Sequence, residues 1–247
     1  MGSLEQSKIR RTIMPFLAIF QADLEALLKS RITYGWLIAG VFLQVIRVLS
    51  NSRITPTSVI IPLGLNDFII IWSMLIIGTT ASTVSSETGE LADSIMSKSV
   101  KRQDYIFAKF ASRIVYVVVM YLAITLVLVI ASLRLAENDY DVYGLVAAII
   151  FVLIALIMLT SLGVSLSAFV SNSVIAIVTL LILWYSMTAF FPLLDMELLS
   201  PSNLIAKMPD LIQGDWTGDS WITAVIFGYI SVVFTFLTAS YFTTKDL

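Results

Sequence analysis

The chain contains no cysteine and no histidine, so few of its residues are equipped for chemistry. Those of most interest lie inside apolar runs. Gln44 and Arg47 stand one helical turn apart in one run, and Ser73, Thr79, Thr80, Ser82 and Thr83 are gathered in the next. Trp184, Tyr185 and Ser186 form an aromatic and polar patch in a third. Polar side chains within long apolar segments are functional candidates by default. The absent residue types exclude disulfides, thiolate chemistry, Cys/His zinc sites, haem ligation by histidine and histidine acid–base catalysis. No two aspartates share the apolar runs, and no chain of buried acids suggests a proton relay. An enzyme is therefore not expected. What remains is hydrogen bonding and charge, which can line a path for a substrate. The candidates for that path are Gln44, Arg47, Ser73, Thr80, Tyr185 and Ser186, each with helix packing as the competing role. Small residues four apart, Ser161/Ser165 and Gly163/Ser167, are expected to pack helices rather than bind a ligand.

These residues need long apolar helices to hold them. Of 247 residues, 58% are hydrophobic and 13% charged, against about a quarter charged in soluble domains. Mean hydropathy is +0.94. A net charge of −2 gives no reason to expect a nucleic-acid partner. A helix crosses the hydrocarbon core with about 20 apolar residues, and the runs are too continuous for barrel strands. Six spans are expected, at 33–50, 67–85, 112–134, 144–169, 174–194 and 221–243. The fold class that follows is an all-α integral membrane protein forming a single transmembrane domain over 1–247.

Lysine and arginine set the expected direction. Lys8, Arg10, Arg11, Lys29 and Arg31 precede the first span, Lys98, Lys101, Arg102, Lys109 and Arg113 lie between the second and third, and Lys245 follows the last. Only Arg53, Arg134 and Lys207 fall on the other side. Both termini are expected to be cytoplasmic, in the cell membrane. Arg47, near the outer end of its span, is expected to snorkel to the headgroups in preference to facing a path. Asp67 opens the second span from the outside and can stay wet there. The polar, basic start "MGSLEQSKIRRT" has no signal-peptide pattern, and Gln6 does not suit myristoylation.

Three segments are not plain spans. In 13–31, Phe16, Leu17, Phe20, Leu24, Leu27 and Leu28 recur at helical steps, while Gln21, Asp23, Glu25 and Lys29 lie largely elsewhere on the wheel. An amphipathic helix in the inner interface is expected there. The outer loop 195–220 carries Ser200 and Pro201, a helix-start pair, and Trp216 and Trp221 suit the headgroup belt. A short helix dipping toward the outer leaflet is expected. Finally, "SSETGELADSIMSKSVKRQDYIFAKF" (85–110) places Leu91, Ile95 and Met96 at helical steps after Gly89. A helix this short is unstable alone, so it needs a partner surface; a solvated loop is the alternative.

The order of Glu87 and Gly89, then Leu91, Ile95 and Met96, then Val100, Lys101 and Arg102, then Lys109 before the next span, resembles the permease subunits of ABC-2 type ABC transporters. Glu90, Ser99, Lys101 and Ala108 stand where that family usually has Thr, Pro, Ser and Gly. The match is motif-level over about 25 residues, while the layout of "DLEALLKSR", Arg31 and six spans is similar over nearly the whole chain. The resemblance implies an ABC-2, or type V exporter-like, fold and a permease that exports by alternating access between two protomers, the second identical or homologous. It implies a coupling helix at 88–98 seated on one of two separate ABC ATPase subunits, with Glu87, Gly89, Glu90, Leu91, Ile95 and Met96 in the contact and Lys101 and Arg102 at its edge. ATP and Mg would be bound by those partners. The chain itself has no G-x-x-x-x-G-K-[ST] and no room for a nucleotide-binding fold. The competing reading is a membrane scaffold or channel-like subunit of a larger complex that transports nothing itself.

Overall fold

The computed structural model describes residues 2–85, 101–216 and 218–244, and no strand occurs among them. Their long elements are α1 (Gly2–Leu28), α2 (Arg31–Asn51), α3 (Thr57–Asp67), a π-helical segment (Phe68–Trp72), α4 (Ser73–Ala81), α5 (Arg102–Leu135), α6 (Val142–Phe169) and α7 (Ser173–Ala189). Two short helices, α8 (Pro201–Ala206) and α9 (Met208–Ile212), precede α10 (Gly218–Thr244). Among the described residues five helices are long and apolar enough to cross a membrane: α2, the continuous run Thr57–Ala81, α5, α6 and α10. The chain is an all-helical, multi-pass membrane protein. The segment expected to be the coupling helix, 88–98, lies outside the described residues, as do Glu87, Gly89, Glu90, Leu91, Ile95 and Met96.

Three expected spans change their limits. The second was expected at 67–85, but its helix begins at Thr57 and ends at Ala81, so most of the expected loop before it is helical. Pro62 lies inside α3. Proline lacks a backbone N–H, but membrane helices tolerate it where neighbouring groups cover the backbone. Here Ile60, Ile61 and Leu65 are fully buried, so packing outweighs the local signal. The fifth span was expected to run unbroken over 174–194. Its α-helix stops at Ala189, and a 3₁₀ turn, Phe191–Leu194, carries the chain on. Pro192 disfavours the helical conformation in the residue before it. The third span starts ten residues early, at Arg102, with Asp104 in its first turn, where an acid complements the helix dipole.

One end of the bundle carries α1. Ser30 breaks the chain between α1 and α2 in an extended conformation and accepts a hydrogen bond from the N–H of Ile32 (3.3 Å). Thr33 then ties three elements together: its hydroxyl donates to the Leu27 carbonyl (2.6 Å) and lies 2.8 Å from the Tyr116 hydroxyl. The helix α1 packs along the first turns of α5. Phe16, Phe20, Leu24 and Leu27 are half-buried, whereas Leu17 and Leu28 are exposed. Part of the apolar face expected in the membrane interface is thus laid on protein.

The other end is closed by the segment after α7. Ser200 stands at the N-cap position of α8, but its side chain bonds Ser202 and the Thr188 carbonyl rather than a helix N–H. Leu204, Met208, Leu211 and Ile212 are buried in the main core, so α8 and α9 fold back between α3 and α6. Gly144 lets this happen: a Cβ there would collide with the Leu211 carbonyl. Asp139 fastens the same end, accepting from the N–H (2.8 Å) and hydroxyl (2.5 Å) of Ser58 and from Gln213 (3.0 Å). Burial alone would raise the Asp139 carboxyl, but these bonds win and hold it below its usual range. A carboxyl lowered by folding stabilises the fold while ionised and loses that contribution as pH falls through its folded value. Thermal unfolding measured from neutral to acidic pH should therefore show an acid-side loss of stability that is smaller in Asp139→Asn. Identical pH profiles would remove this role.

Candidate functional site

The second span is the axis on which the predicted polar residues meet. Its π-helical segment, Phe68–Trp72, interrupts the regular i to i+4 bonding, and such segments in other proteins are frequent at functional sites. Two of its carbonyls are taken up by α7. The Trp184 indole N–H donates to the Ile69 carbonyl (2.9 Å), and the Tyr185 hydroxyl donates to the Ile70 carbonyl (2.6 Å). Ser73, at the start of α4, lies 3.3 Å from both the Ile70 carbonyl and the Tyr185 hydroxyl. Ser73 from one apolar run and Trp184 and Tyr185 from another thus form one hydrogen-bonded group. Ser186 is half-buried beside it and outside this set of bonds. Thr80 is elsewhere: it is fully buried, donates to the Ile76 carbonyl (2.7 Å) and packs against Gly163 of α6. A side chain on Gly163 would fill the space that Thr80 occupies.

Just before the π segment, Arg47 does not snorkel and Asp67 does not stay wet. One guanidinium nitrogen of Arg47, Nη2, lies 2.6 and 2.8 Å from the two Asp67 oxygens, a charge-assisted contact. The Asp67 side chain is 8% exposed and that of Arg47 26%. Gln44 is fully buried and donates to the Gly64 carbonyl (3.2 Å) and to Asp67 (3.4 Å). Charges of opposite sign on neighbouring spans have found each other, so Gln44 and Arg47 clasp α2 to α3.

A second polar group lies at the α1 end. Asp23, assigned by the helical wheel to a face away from the apolar one, points at α5. It pairs with Lys109 (3.1 Å) and Arg113 (3.5 Å) and accepts from the Ser112 hydroxyl. The side chains of Asp23, Lys109 and Arg113 are 12%, 5% and 9% exposed. Arg113 also donates to the Thr83 hydroxyl (2.9 Å), in the turn that ends the second span. That turn is fixed in its own right: the N–H groups of Val84 and Ser85 donate to Ser167 of α6 (2.8 and 3.0 Å), and Ser85 lies 2.8 Å from the Ser173 hydroxyl. Ser165 and Ser161 of α6 bond Thr238 (2.8 Å) and Ser231 (2.7 Å) of α10, so the small residues of α6 do serve packing. Where the chain returns, Lys101 is exposed at the N-cap of α5, Arg102 is half-buried, and Lys109 lies 5.5 Å from the centre of the Tyr105 ring. Below, Val84, Ile106, Phe110, Val164, Ala168, Ala239 and Phe242 form a small core of their own.

Sequence reasoning missed Asp23, Asp67 and the π segment as parts of these groups. For Asp67 a signal existed, because an acid and an arginine in adjacent spans are natural partners. For the π segment, "FIIIW" carries none. No metal-ligating cluster of acids occurs among the described residues. No protein-family model matches the chain, and no curated protein matches it either.

Proposed function

We propose that the chain is the membrane-spanning permease subunit of an ATP-driven transporter of the ABC-2 type, working as an exporter. In this reading α7 and the turn after it complete a sixth span, both termini are cytoplasmic, and two permease protomers pair in the cell membrane. Two separate ABC ATPases bind ATP and Mg and dock on the segment 86–100. The observation that carries the reading is the anchoring of both ends of that segment. The chain leaves α4 through Val84 and Ser85, which are bonded to α6 and α7, and returns into α5 beside Lys109 and Arg113, which are bonded to α1. A push on the segment would therefore be delivered to α1, α4, α5 and α6 together. Spans 2 and 5, joined at the π segment through Trp184 and Tyr185, are the elements such a push would separate along a path.

The experiment is gentle purification of the complex, followed by sequencing of what accompanies it. A chain with a Walker lysine is expected, and its ATP hydrolysis should lose dependence on the permease in Leu91→Asp or Ile95→Asp, with membrane insertion intact. If no ATPase accompanies the chain, or if both variants keep full coupling, the protein is instead a scaffold or channel-like subunit.

A further inference from the structure

Along most of their length α6 and α10 are in contact, bonded through Ser161–Ser231 and Ser165–Thr238. Toward the end that carries α8 and α9 they part and leave a groove of about 660 Å³. Val146, Ile150 and Phe151 wall one side, Trp221 and Val225 the other, and Gly228 forms part of the floor. The wall is apolar throughout. Its rim is open, with Val146 49%, Ile150 45% and Val225 65% exposed. On a soluble protein a concave apolar opening of this size would mark a ligand site. Among the described residues five helices are apolar enough to cross a membrane, and in a membrane the exposed rim of this groove would meet hydrocarbon.

The mouth fixes its depth. Trp216 stacks on Trp221 (5.8 Å, 26°), and Phe151 meets Trp221 edge-on (5.2 Å). Both tryptophans are near half-exposed, as expected where the hydrocarbon meets the headgroups. Two residues before Trp221, in the same turn of α10, Asp219 pairs with Lys207 (2.5 Å), which brings both signs of charge to headgroup level. We propose that this groove is a lipid site: it holds one acyl chain of a zwitterionic phospholipid from the leaflet at this end, capped by Trp216 and Trp221, with its headgroup beside Lys207 and Asp219.

Tryptophan fluorescence can test this in the full chain. Trp36, Trp72 and Trp184 are buried, so quenching from the lipid phase reports chiefly on Trp216 and Trp221. Phosphatidylcholine with brominated acyl chains, titrated into the detergent-purified protein, should quench this pair and saturate at one lipid per chain. Gly228→Leu places a side chain on the floor of the groove, where the nearest atom to an added Cβ is 3.9 Å away. That variant should bind about tenfold more weakly, the loss of roughly two buried methylenes. Gly35→Leu, on an exposed face of α2 with nothing near its Cβ, should bind like the parent. Quenching that never saturates, or that is equal in Gly228→Leu and the parent, would mean ordinary surrounding lipid and overturn the site. A disulfide-linked dimer through Val225→Cys, with quenching lost, would place a second copy in the groove and overturn it equally.

Discussion

Asp67→Leu should destabilise the protein by about 3–5 kcal/mol, because it leaves the guanidinium of Arg47 buried beside α3 without its carboxylate. Arg47 is partly exposed, so the loss should fall toward the lower part of that range as the side chain reaches for the headgroups. Arg47→Met should cost as much or more, since Asp67 is the more deeply buried partner and too short to snorkel. The double variant Arg47→Met/Asp67→Leu is the informative one. Both charges are gone, neither pays desolvation, and buried ion pairs replaced by apolar side chains are often neutral or even stabilising. Its thermal unfolding in detergent should lie near that of the parent. Asp67→Asn should fall between, because an amide oxygen still accepts from Arg47. If the losses of the two single variants simply add in the double, the pair has no mutual energy and the clasp is only proximity.

The clasp also bears on what moves. Asp67 is the last residue of α3, and the π segment begins at the next residue. Below it, Trp184 and Tyr185 hold the carbonyls that the irregular segment presents. The second span is thus gripped by α2 just above its irregular turn and by α7 within it. Irregular backbone in a membrane is tolerated only where protein or a watery cavity satisfies it. Here two side chains of one helix do so, which makes the α4–α7 contact a place where separation would uncover backbone polar groups. A path opening there would need a substrate or water to replace Trp184 and Tyr185.

How much of this was legible follows from where each force acts. The apolar spans were readable because lipid demands continuous hydrophobicity and imposes it residue by residue. Their ends were less so: Pro62 reads as a breaker locally, yet Ile60, Ile61 and Leu65 are buried against other helices, and that burial is invisible in one segment. Pro192 was the opposite case, a local signal that did end a helix. The wheel placed Asp23 away from the apolar face, because periodicity assumes that a charge seeks water. Its partners, Lys109 and Arg113, are more than 80 residues away, and a buried cation pair turns that assumption round. Ser73 and Tyr185 were each visible as polar residues in apolar runs, but their meeting depended on the unsignalled π segment. The resemblance rests on residues 87–109 and on layout, and the anchoring of 86–100 came only from the contacts at its two ends.

That anchoring gives the other large effect. Asp23→Leu removes the carboxylate shared by Lys109, Ser112 and Arg113, and should weaken the docking of α1 on α5 by about 3–5 kcal/mol. The effect should be local, because α1 is joined to the bundle through the single turn at Ser30 and shares only part of the main core. Local opening has its own free energy, distinct from global unfolding. The chain has no cysteine, so one introduced at Phe20, half-buried on the docked face, reports opening directly. Its reaction with a maleimide should be about a hundredfold faster or more in Asp23→Leu than in the Asp23 parent, at a global melting temperature that changes far less. Lys109→Met in the same background should restore part of the protection, because it removes one of the two cations that Asp23 served. Equal maleimide rates with and without Asp23 would mean that apolar packing of Phe16, Phe20, Leu24 and Leu27 holds α1 alone. The same variant separates structure from transmission. If 86–100 drives the bundle through Lys109 and Arg113, loosening Asp23 should lower the coupling of a partner's ATP hydrolysis even though no residue of 86–100 has changed. A variant with α1 released and coupling intact would confine the path of force to Thr83, Val84 and Ser85 on the α4 side.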